Sequence, residues 1–281
     1  MTRRFLLEFV TRSDTGLVRA ANEDAVAVSA AHGLAVLADG MGGYSAGEVA
    51  SNIATTVICQ AVEKRLGKRA WRRAPDAGAV RQLLASAVEF ANDAILASAR
   101  RQPEHAGMGT TLVVGLFHHD QITIAHVGDS RAYRLRQGRL EQLTHDHSLL
   151  QEELDAGLIS PEQARFADHK NLVTRAVGIE PALAVEIHEH QVFAGDLYLL
   201  CSDGLSDMLA EEEIAELARD ADLQHAADAL VQRANQHGGH DNISVILARV
   251  LPRLHTQGPS QHQSGRAVWP GLLAWLAHWI K

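Results

Sequence analysis

Four aspartates in this sequence lie at the ends of apolar runs, where a strand would deliver them to the mouth of a core. They are Asp39, Asp129, Asp203 and Asp241. Apolar runs of this length are typical of buried strands, so we expect the four side chains to share one sheet edge. Grouped carboxylates beside an apolar core lose water and repel one another, and a cation removes that cost. Because the candidate ligands are all oxygens, the pattern favours Mg²⁺ or Mn²⁺ over zinc or copper.

Hydrophobic patterning predicts the elements that position these residues. Strands are predicted at 25–28, 34–37, 112–117, 122–127, 132–135, 197–201 and 243–250. Apolar residues at helical spacing, uninterrupted by proline, predict long helices over 46–66 and 78–101. Short polar turns join the strands between residues 109 and 142 as hairpins, which is typical of an antiparallel meander. Hairpins together with grouped helices indicate an α+β domain.

Composition narrows the class of protein. The 281 residues carry a net charge of -8, which argues against a nucleic-acid partner, because affinity for a phosphate backbone comes from clustered lysine and arginine. Two cysteines, Cys59 and Cys201, form no disulfide framework or metal motif, and a reducing cytoplasm is the expected location. The apolar run after Arg4 is too short for a signal peptide.

The chain is predicted to consist of one main domain and a tail. Residues 1–251 form the domain, and residues 252–266 form a polar linker rich in proline, glycine, serine and glutamine. Residues 267–281 form an amphipathic, tryptophan-rich segment that begins near Pro270 and is too short to span a bilayer. Such a segment could lie on a membrane surface, dock a partner or pack onto its own domain.

Six short motifs then stand out in order along the chain. They are Arg19-Ala20-Ala21-Asn22-Glu23-Asp24, Asp39-Gly40-Met41-Gly42-Gly43 with Gly47-Glu48, Gly109-Thr110-Thr111, Gly128-Asp129-Ser130-Arg131, Ser202-Asp203-Gly204 and Asp241-Asn242. Their types and order resemble the type 2C (PPM-type) metal-dependent serine/threonine protein phosphatases, in the form common to bacterial members. The resemblance covers roughly residues 8–250. It implies two packed antiparallel β-sheets flanked by helix pairs, an αββα sandwich.

The resemblance also implies which residues hold metal. Asp39 is similar to the carboxylate that bridges two ions, with the Gly40 carbonyl on one ion and Asp203 and Asp241 on the other. Asp129, together with Asp203, matches a weaker third metal site of bacterial members. The implied cofactors are therefore two Mn²⁺ or Mg²⁺ ions, with a third at the weaker site.

Three further residues acquire roles in the same way. Glu23 and Asp24 resemble the acids that hold metal-bound waters, and Arg19 aligns with the arginine that grips the substrate phosphate, a task suited to a guanidinium fork. The implied reaction is hydrolysis of phosphoserine and phosphothreonine by a water that two metals activate. Met41 stands where eukaryotic relatives often place a histidine, and because a thioether cannot donate a proton, the general acid remains unassigned.

Partners follow from the resemblance alone. Phosphoprotein substrates are expected, with a cognate serine/threonine kinase whose signalling the enzyme opposes. A monomer in the cytoplasm, recruited to a membrane or partner through the tail, is the expected form. The segment from His147 to Gly178 resembles the flap beside the active site of bacterial members.

Two rival functions and one rival metal chemistry remain to be weighed. Gly128-Asp129-Ser130-Arg131-Ala132 nearly matches the nucleophile elbow of serine hydrolases, with Ser130 as nucleophile, although that elbow requires a helix after the serine. A catalytically inactive module that only binds phosphoproteins would lack metal ligands. The 16 histidines include no zinc-protease motif, and His145, His147 and His240 are candidates only to support other ligands.

Overall fold

The computed structural model describes residues 5–43, 46–67, 77–164, 167 and 172–253. The predicted tail, 267–281, and nearly all of the predicted linker lie outside the described residues. None of the helices in the described part of the chain is both long and apolar enough to cross a bilayer.

Two antiparallel sheets organise the molecule. The strands are β1 (Phe5–Asp14), β2 (Asp24–Ser29), β3 (Leu34–Met41), β4 (Gly109–Thr110), β5 (Leu112–His118), β6 (Gln121–Val127), β7 (Arg131–Arg136), β8 (Arg139–Gln142), β9 (Glu186–Gln191), β10 (Leu197–Cys201) and β11 (Ile243–Pro252). The first sheet has the strand order β1-β11-β10-β7-β8 and the second has the order β2-β3-β5-β6-β9, with β4 paired to β3.

Helices cover the outer face of each sheet. The helices of the described residues are α1 (Ala46–Leu66), α2 (Ala77–Arg101), α3 (Leu149–Asp155), α4 (Pro161–Ala164), α5 (Asp203–Ser206), α6 (Glu211–Leu217) and α7 (Leu223–Gln236), with a 3-10 turn at Pro103–His105. The long helices α1 and α2 pack on the second sheet, whereas α5, α6 and α7 pack on the first. The predicted αββα sandwich is confirmed.

Three apolar layers result from this arrangement. The layer between the sheets is centred on Phe117 of β5, whose ring meets Phe5, Phe9 and Tyr198 edge to face, with centroids 5.2 to 6.3 Å apart. The other two layers lie under the helices. Apolar residues on both faces of β5 are therefore buried, which explains why its sequence is a continuous apolar run rather than an alternating one.

The predicted strand ranges leave out four of the eleven strands that the structure describes: the short β4 and β8, and the longer edge strands β1 and β9. β1 pairs with β11 over ten residues, yet as an edge strand it is mostly half-buried and carries polar residues along its length. β9 consists largely of Glu, His and Gln and lies at the edge of the second sheet. At such edges, pairing to a neighbour decides the conformation more than side-chain pattern does.

Candidate metal centre

The second sheet contributes three of the predicted carboxylates. Asp24 begins β2 and Asp39 lies near the end of β3, and the antiparallel register places these two residues directly opposite each other. Directly opposed residues present their side chains on the same face of a sheet. Asp129 follows β6, the third strand from β2 across the same sheet, and is buried.

The first sheet contributes the other two. Asp203 begins α5 immediately after β10, and Asp241 immediately precedes the neighbouring strand β11. The prediction that four aspartates share one sheet edge is therefore wrong, because Asp39 and Asp129 belong to one sheet and Asp203 and Asp241 to the other. They converge because the two sheets pack face to face and end together at this side of the sandwich.

A hydrogen bond joins the two sheets at this point. The Ser202 hydroxyl, at the end of β10, donates to Asp24 Oδ2 at 2.9 Å and accepts from the Ser244 backbone N–H at 3.0 Å. Ser202 and Ser244 are fully buried. This bond satisfies only one oxygen of Asp24, and Asp24 Oδ1 is buried without a hydrogen-bond partner, as is Asp203 Oδ1.

The electrostatics of the group favour a bound cation. Burial, reinforced by repulsion from the neighbouring aspartates, raises the pKa of Asp39 and of Asp203 well above the usual range. Burial raises the pKa of Asp24 to about 6, and burial with repulsion from Asp146 raises the pKa of Asp129 to about 7. Carboxylates with orphaned oxygens and raised pKa values fit bound divalent cations, which favour the ionised form.

Glu23 is held by its backbone rather than by its side chain. The Glu23 N–H donates to Asn242 Oδ1 at 2.8 Å, and the Glu23 carbonyl accepts from the Ser51 hydroxyl at 2.6 Å and from the Gly40 N–H at 3.2 Å. Its carboxylate lies close enough to Arg19 and Asp241 for their charges to act on it, and burial raises its pKa.

Gly40 is required by the close approach of three backbone segments. A Cβ atom at this position would lie 2.1 Å from the Gly47 carbonyl oxygen and 2.6 Å from the Glu23 carbonyl oxygen. No side chain fits such a gap, so glycine is the residue that lets α1 begin against β3 beside Asp39.

Arg19 reaches the group from the loop between β1 and β2. Its Nη2 donates to Asp241 Oδ2 at 2.6 Å, and the guanidinium side chain is 53% exposed. This hydrogen bond is the main cause of the raised pKa of Arg19. The positively charged Arg19 guanidinium, about half exposed to solvent, thus lies at the edge of the buried carboxylates.

Comparison with known proteins now decides the family. The family described as "Protein phosphatase 2C" matches residues 18–248 of the chain. The chain belongs to the protein phosphatase 2C family. The resemblance seen in its motifs is confirmed.

Individual relatives agree with this assignment. "Serine/threonine protein phosphatase PstP" of Mycobacterium tuberculosis is 39% identical over 249 residues, which are 88% of this chain and 45% of that protein. This chain therefore spans less than half the length of the mycobacterial relative. "Serine/threonine phosphatase stp" of Listeria monocytogenes is 38% identical over 243 residues, covering 84% of this chain and 93% of that one.

A solved structure of a relative matches the fold. The catalytic domain of PstP in complex with two manganese ions has a TM-score of 0.77 and 38% identity, covering 88% of this chain and 99% of that one. Two antiparallel sheets with helices outside are thus the arrangement expected of a protein phosphatase 2C domain.

Two acidic residues of this phosphatase 2C domain were missed by the sequence motifs. Asp207 follows Asp203 at a spacing of four, which places both on one face of a helical turn, and it raises the pKa of both Asp203 and Asp129. Asp146 also acts on Asp129, but its own carboxylate is ion-paired with Arg131 at 2.6 Å. The helical spacing of Asp207 was a usable signal, whereas the approach of Asp146 was not visible in the sequence.

Asn242 is the third residue whose role the motifs did not reveal. Its side-chain amide donates to the Thr15 and Ala21 carbonyls, both at 2.9 Å, in addition to accepting from Glu23. Asn242 therefore fixes both ends of the loop that carries Arg19.

A second group of possible ligands lies apart from the aspartates in this phosphatase 2C domain. One atom each from His126, His147 and Glu186 lie within 4.8 Å of one another. However, His147 Nδ1 accepts the Gly128 N–H at 3.1 Å, so in the neutral ring the proton is on Nε2, which faces Glu186 Oε2 at 3.2 Å. His147 is thus a hydrogen-bond donor to Glu186 rather than a free ligand.

The surroundings of Ser130 do not match a nucleophile elbow. Its buried hydroxyl shares a hydrogen bond with the Thr111 hydroxyl at 2.7 Å, and the next residue begins strand β7 rather than a helix. The serine-hydrolase alternative is not supported, and the family assignment favours the phosphatase instead.

Proposed function

We propose that this chain is a protein serine/threonine phosphatase that hydrolyses phosphoserine and phosphothreonine monoesters with two bound Mn²⁺ or Mg²⁺ ions. The observation that carries the proposal is a buried group of carboxylates from two sheets, with orphaned oxygens on Asp24 and Asp203, beside the half-exposed guanidinium of Arg19. The relatives from Mycobacterium tuberculosis and Listeria monocytogenes are both named serine/threonine phosphatases, which supports this class of substrate.

The proposed ligands are the carboxylates and one carbonyl. Asp39, the Gly40 carbonyl, Asp203 and Asp241 would hold the two ions directly. Glu23 and Asp24 would hold water molecules bound to the ions, and the hydrogen bond from Ser202 orients Asp24 for that role. Asp129 and Asp203 would hold a third, more weakly bound ion.

The cations, when bound, supply an activated water and neutralise charge on the phosphoryl oxygens. The chain's own residues bind and orient the substrate. Arg19, anchored through Asp241, keeps further N–H donors for two phosphate oxygens, and the rim position places it where a phosphorylated side chain would enter. Met41 cannot protonate the leaving alcohol, so that proton is not assigned to a side chain at this position.

Hydrolysis of p-nitrophenyl phosphate and of a phosphothreonine peptide tests the proposal. We expect activity with Mn²⁺, none with EDTA, and a loss on the order of a hundredfold or more in Asp39→Asn and Asp203→Asn. Ser130→Ala is the control for the serine-hydrolase alternative and should retain metal-dependent hydrolysis. Activity that survives both the chelator and the two aspartate substitutions would overturn the proposal.

The remaining expectations concern the whole protein, and we propose them together. A serine/threonine kinase that phosphorylates the same proteins is the proposed signalling counterpart, and a cytoplasmic monomer is the proposed form. We further propose a phosphatase domain over 1–251, a linker over 252–266 and peripheral recruitment through 267–281. Deletion of residues 256–281 followed by membrane fractionation tests this last point, because an unchanged distribution would remove it.

A further inference from the structure

His147 holds both backbone groups of the residue that precedes Asp129. The His147 N–H donates to the Gly128 carbonyl at 3.0 Å, and the Gly128 N–H donates to His147 Nδ1 at 3.1 Å. Gly128 has a φ of 100°, and a Cβ there would lie 2.7 Å from Thr111 Cβ. One residue therefore fixes a glycine whose conformation few other residues could adopt.

The His147 ring is itself held from the other side. Its Nε2 faces Glu186 Oε2 at 3.2 Å, and Glu186 Oε1 contacts His188 Nε2 at 2.5 Å. The ring is 4% exposed and stacks on His126 with centroids 4.9 Å apart and planes within 9°. Packing and the carboxylate thus determine which ring nitrogen carries the proton, leaving Nδ1 as an acceptor for Gly128.

We propose that His147 is a positioning residue that sets the direction of the Asp129 carboxylate for the weaker third cation, with Glu186 fixing its tautomer. This inference rests on the proposed function. The physical argument is that Gly128 is free to rotate about φ and ψ, so the direction of the next side chain depends on what binds its two backbone groups. Hydrogen bonds that orient metal ligands from behind act in the same way, and their loss typically weakens metal affinity ten- to a hundredfold.

Two substitutions of His147 distinguish the role of Nδ1 from the role of Nε2. In His147→Asn the amide oxygen can take the place of Nδ1 and accept the Gly128 N–H, while the contact with Glu186 is lost. In His147→Gln the longer amide can reach Glu186, while no acceptor remains at the Nδ1 position. Both variants lose the ring and its stacking on His126, so a role in packing alone would affect them equally.

Calorimetric titration of the metal-stripped full chain with Mn²⁺ provides a readout that does not depend on catalysis. Asp129→Asn is the reference for loss of the weak site. We expect His147→Gln to weaken that site about tenfold with the two tight sites unchanged, as the loss of one hydrogen bond implies. His147→Asn should stay within about threefold of the unsubstituted chain. Circular dichroism confirms that each variant is folded.

Three outcomes would overturn the inference. They are a weak site with unchanged affinity in His147→Gln, equal weakening in both His147 variants, or a weak site that persists in Asp129→Asn. Should His147→Gln not fold, Glu186→Ala examines the same interaction from the opposite side and should weaken the same site. Failure of the proposed function is distinguishable, because it would appear as absent hydrolysis in the unsubstituted chain, whatever the Mn²⁺ titration shows.

Discussion

Arg19 Nη2 donates to Asp241 Oδ2 at 2.6 Å, although the two residues are 222 positions apart in the sequence. The contact links the residue proposed to bind phosphate with a residue proposed to bind metal. Asp241 is 23% exposed and Arg19 53% exposed, so the pair lies at the boundary between the buried carboxylates and solvent. In the proposed mechanism, the positions of the substrate and the cation would therefore be coupled through the Asp241 carboxylate.

Replacement of Arg19 should weaken recognition of the phosphate. We expect Arg19→Ala to lower kcat/KM for a phosphothreonine peptide about ten- to a hundredfold, because a hydrogen bond to a charged group contributes about 1.5 to 3 kcal/mol. Arg19→Lys should recover only part, since an ammonium cannot form two parallel bonds. Steady-state kinetics at saturating Mn²⁺ measures both. Arg12→Ala, which removes a half-exposed ion pair with Asp228, is the control, and equal effects at the two arginines would contradict the assignment.

Without metal, repulsion among the grouped carboxylates should lower the free energy of unfolding. In EDTA at pH 7 we expect Asp39→Asn to have a higher free energy of unfolding than the unsubstituted chain, because it removes one charge from a buried acidic group. Saturating Mn²⁺ should reverse the order, since only the unsubstituted chain retains the ligand. Chemical denaturation at both conditions measures the change. Asp93→Asn, at an exposed position of α2, should alter neither value.

The same carboxylates predict an unusual pH dependence of the metal-free protein. Folding raises their pKa values, to about 6 for Asp24 and about 7 for Asp129, above the unfolded values near 4. Between pH 4 and 7 the folded state therefore binds more protons than the unfolded state. These groups consequently lower the free energy of unfolding of the metal-free protein as the pH rises. The advantage of Asp39→Asn in EDTA should be smaller at pH 5 than at pH 7, and an advantage that grows on acidification would contradict this account.

Asn242 should matter for both stability and activity, because its amide makes three hydrogen bonds to the loop that carries Arg19 and to Glu23. We expect Asn242→Ala to lower the free energy of unfolding by about 2 to 3 kcal/mol and to reduce kcat/KM. Thermal and chemical denaturation measure the first effect. Asn52→Ala, which removes an exposed bond within α1, is the matched control, and comparable losses at both positions would argue against a special role.

Phe117 should be a major contributor to the contact between the sheets. Its ring is fully buried among three other aromatic rings, and Phe117→Ala should lower the free energy of unfolding by about 3 to 5 kcal/mol. Phe90→Ala, at a ring that is 64% exposed on α2, should change it by about 0.5 kcal/mol or less. Urea denaturation measures both, and a similar cost at the two positions would contradict the layered core.

Local patterns were sufficient for the buried strands and for the two long amphipathic helices. The predicted helices at 46–66 and 78–101 agree with α1 and α2 to within one residue, and the apolar runs at 112–117 and 197–201 became β5 and β10. Periodicity and apolar runs report burial directly, which is why these predictions held. The edge strands β1 and β9 were not predicted because most of their residues are only partly buried.

The sequence by itself determined the family, the fold class and the acidic, oxygen-rich chemistry, because these follow from residue types and their order. Only the tertiary structure decided which sheet supplies each aspartate, that Asn242 fastens the Arg19 loop, and that His147 holds Gly128. Those relationships depend on hydrogen bonds and repulsions between residues distant in the chain, and no local pattern encodes which distant groups will meet when two sheets pack together.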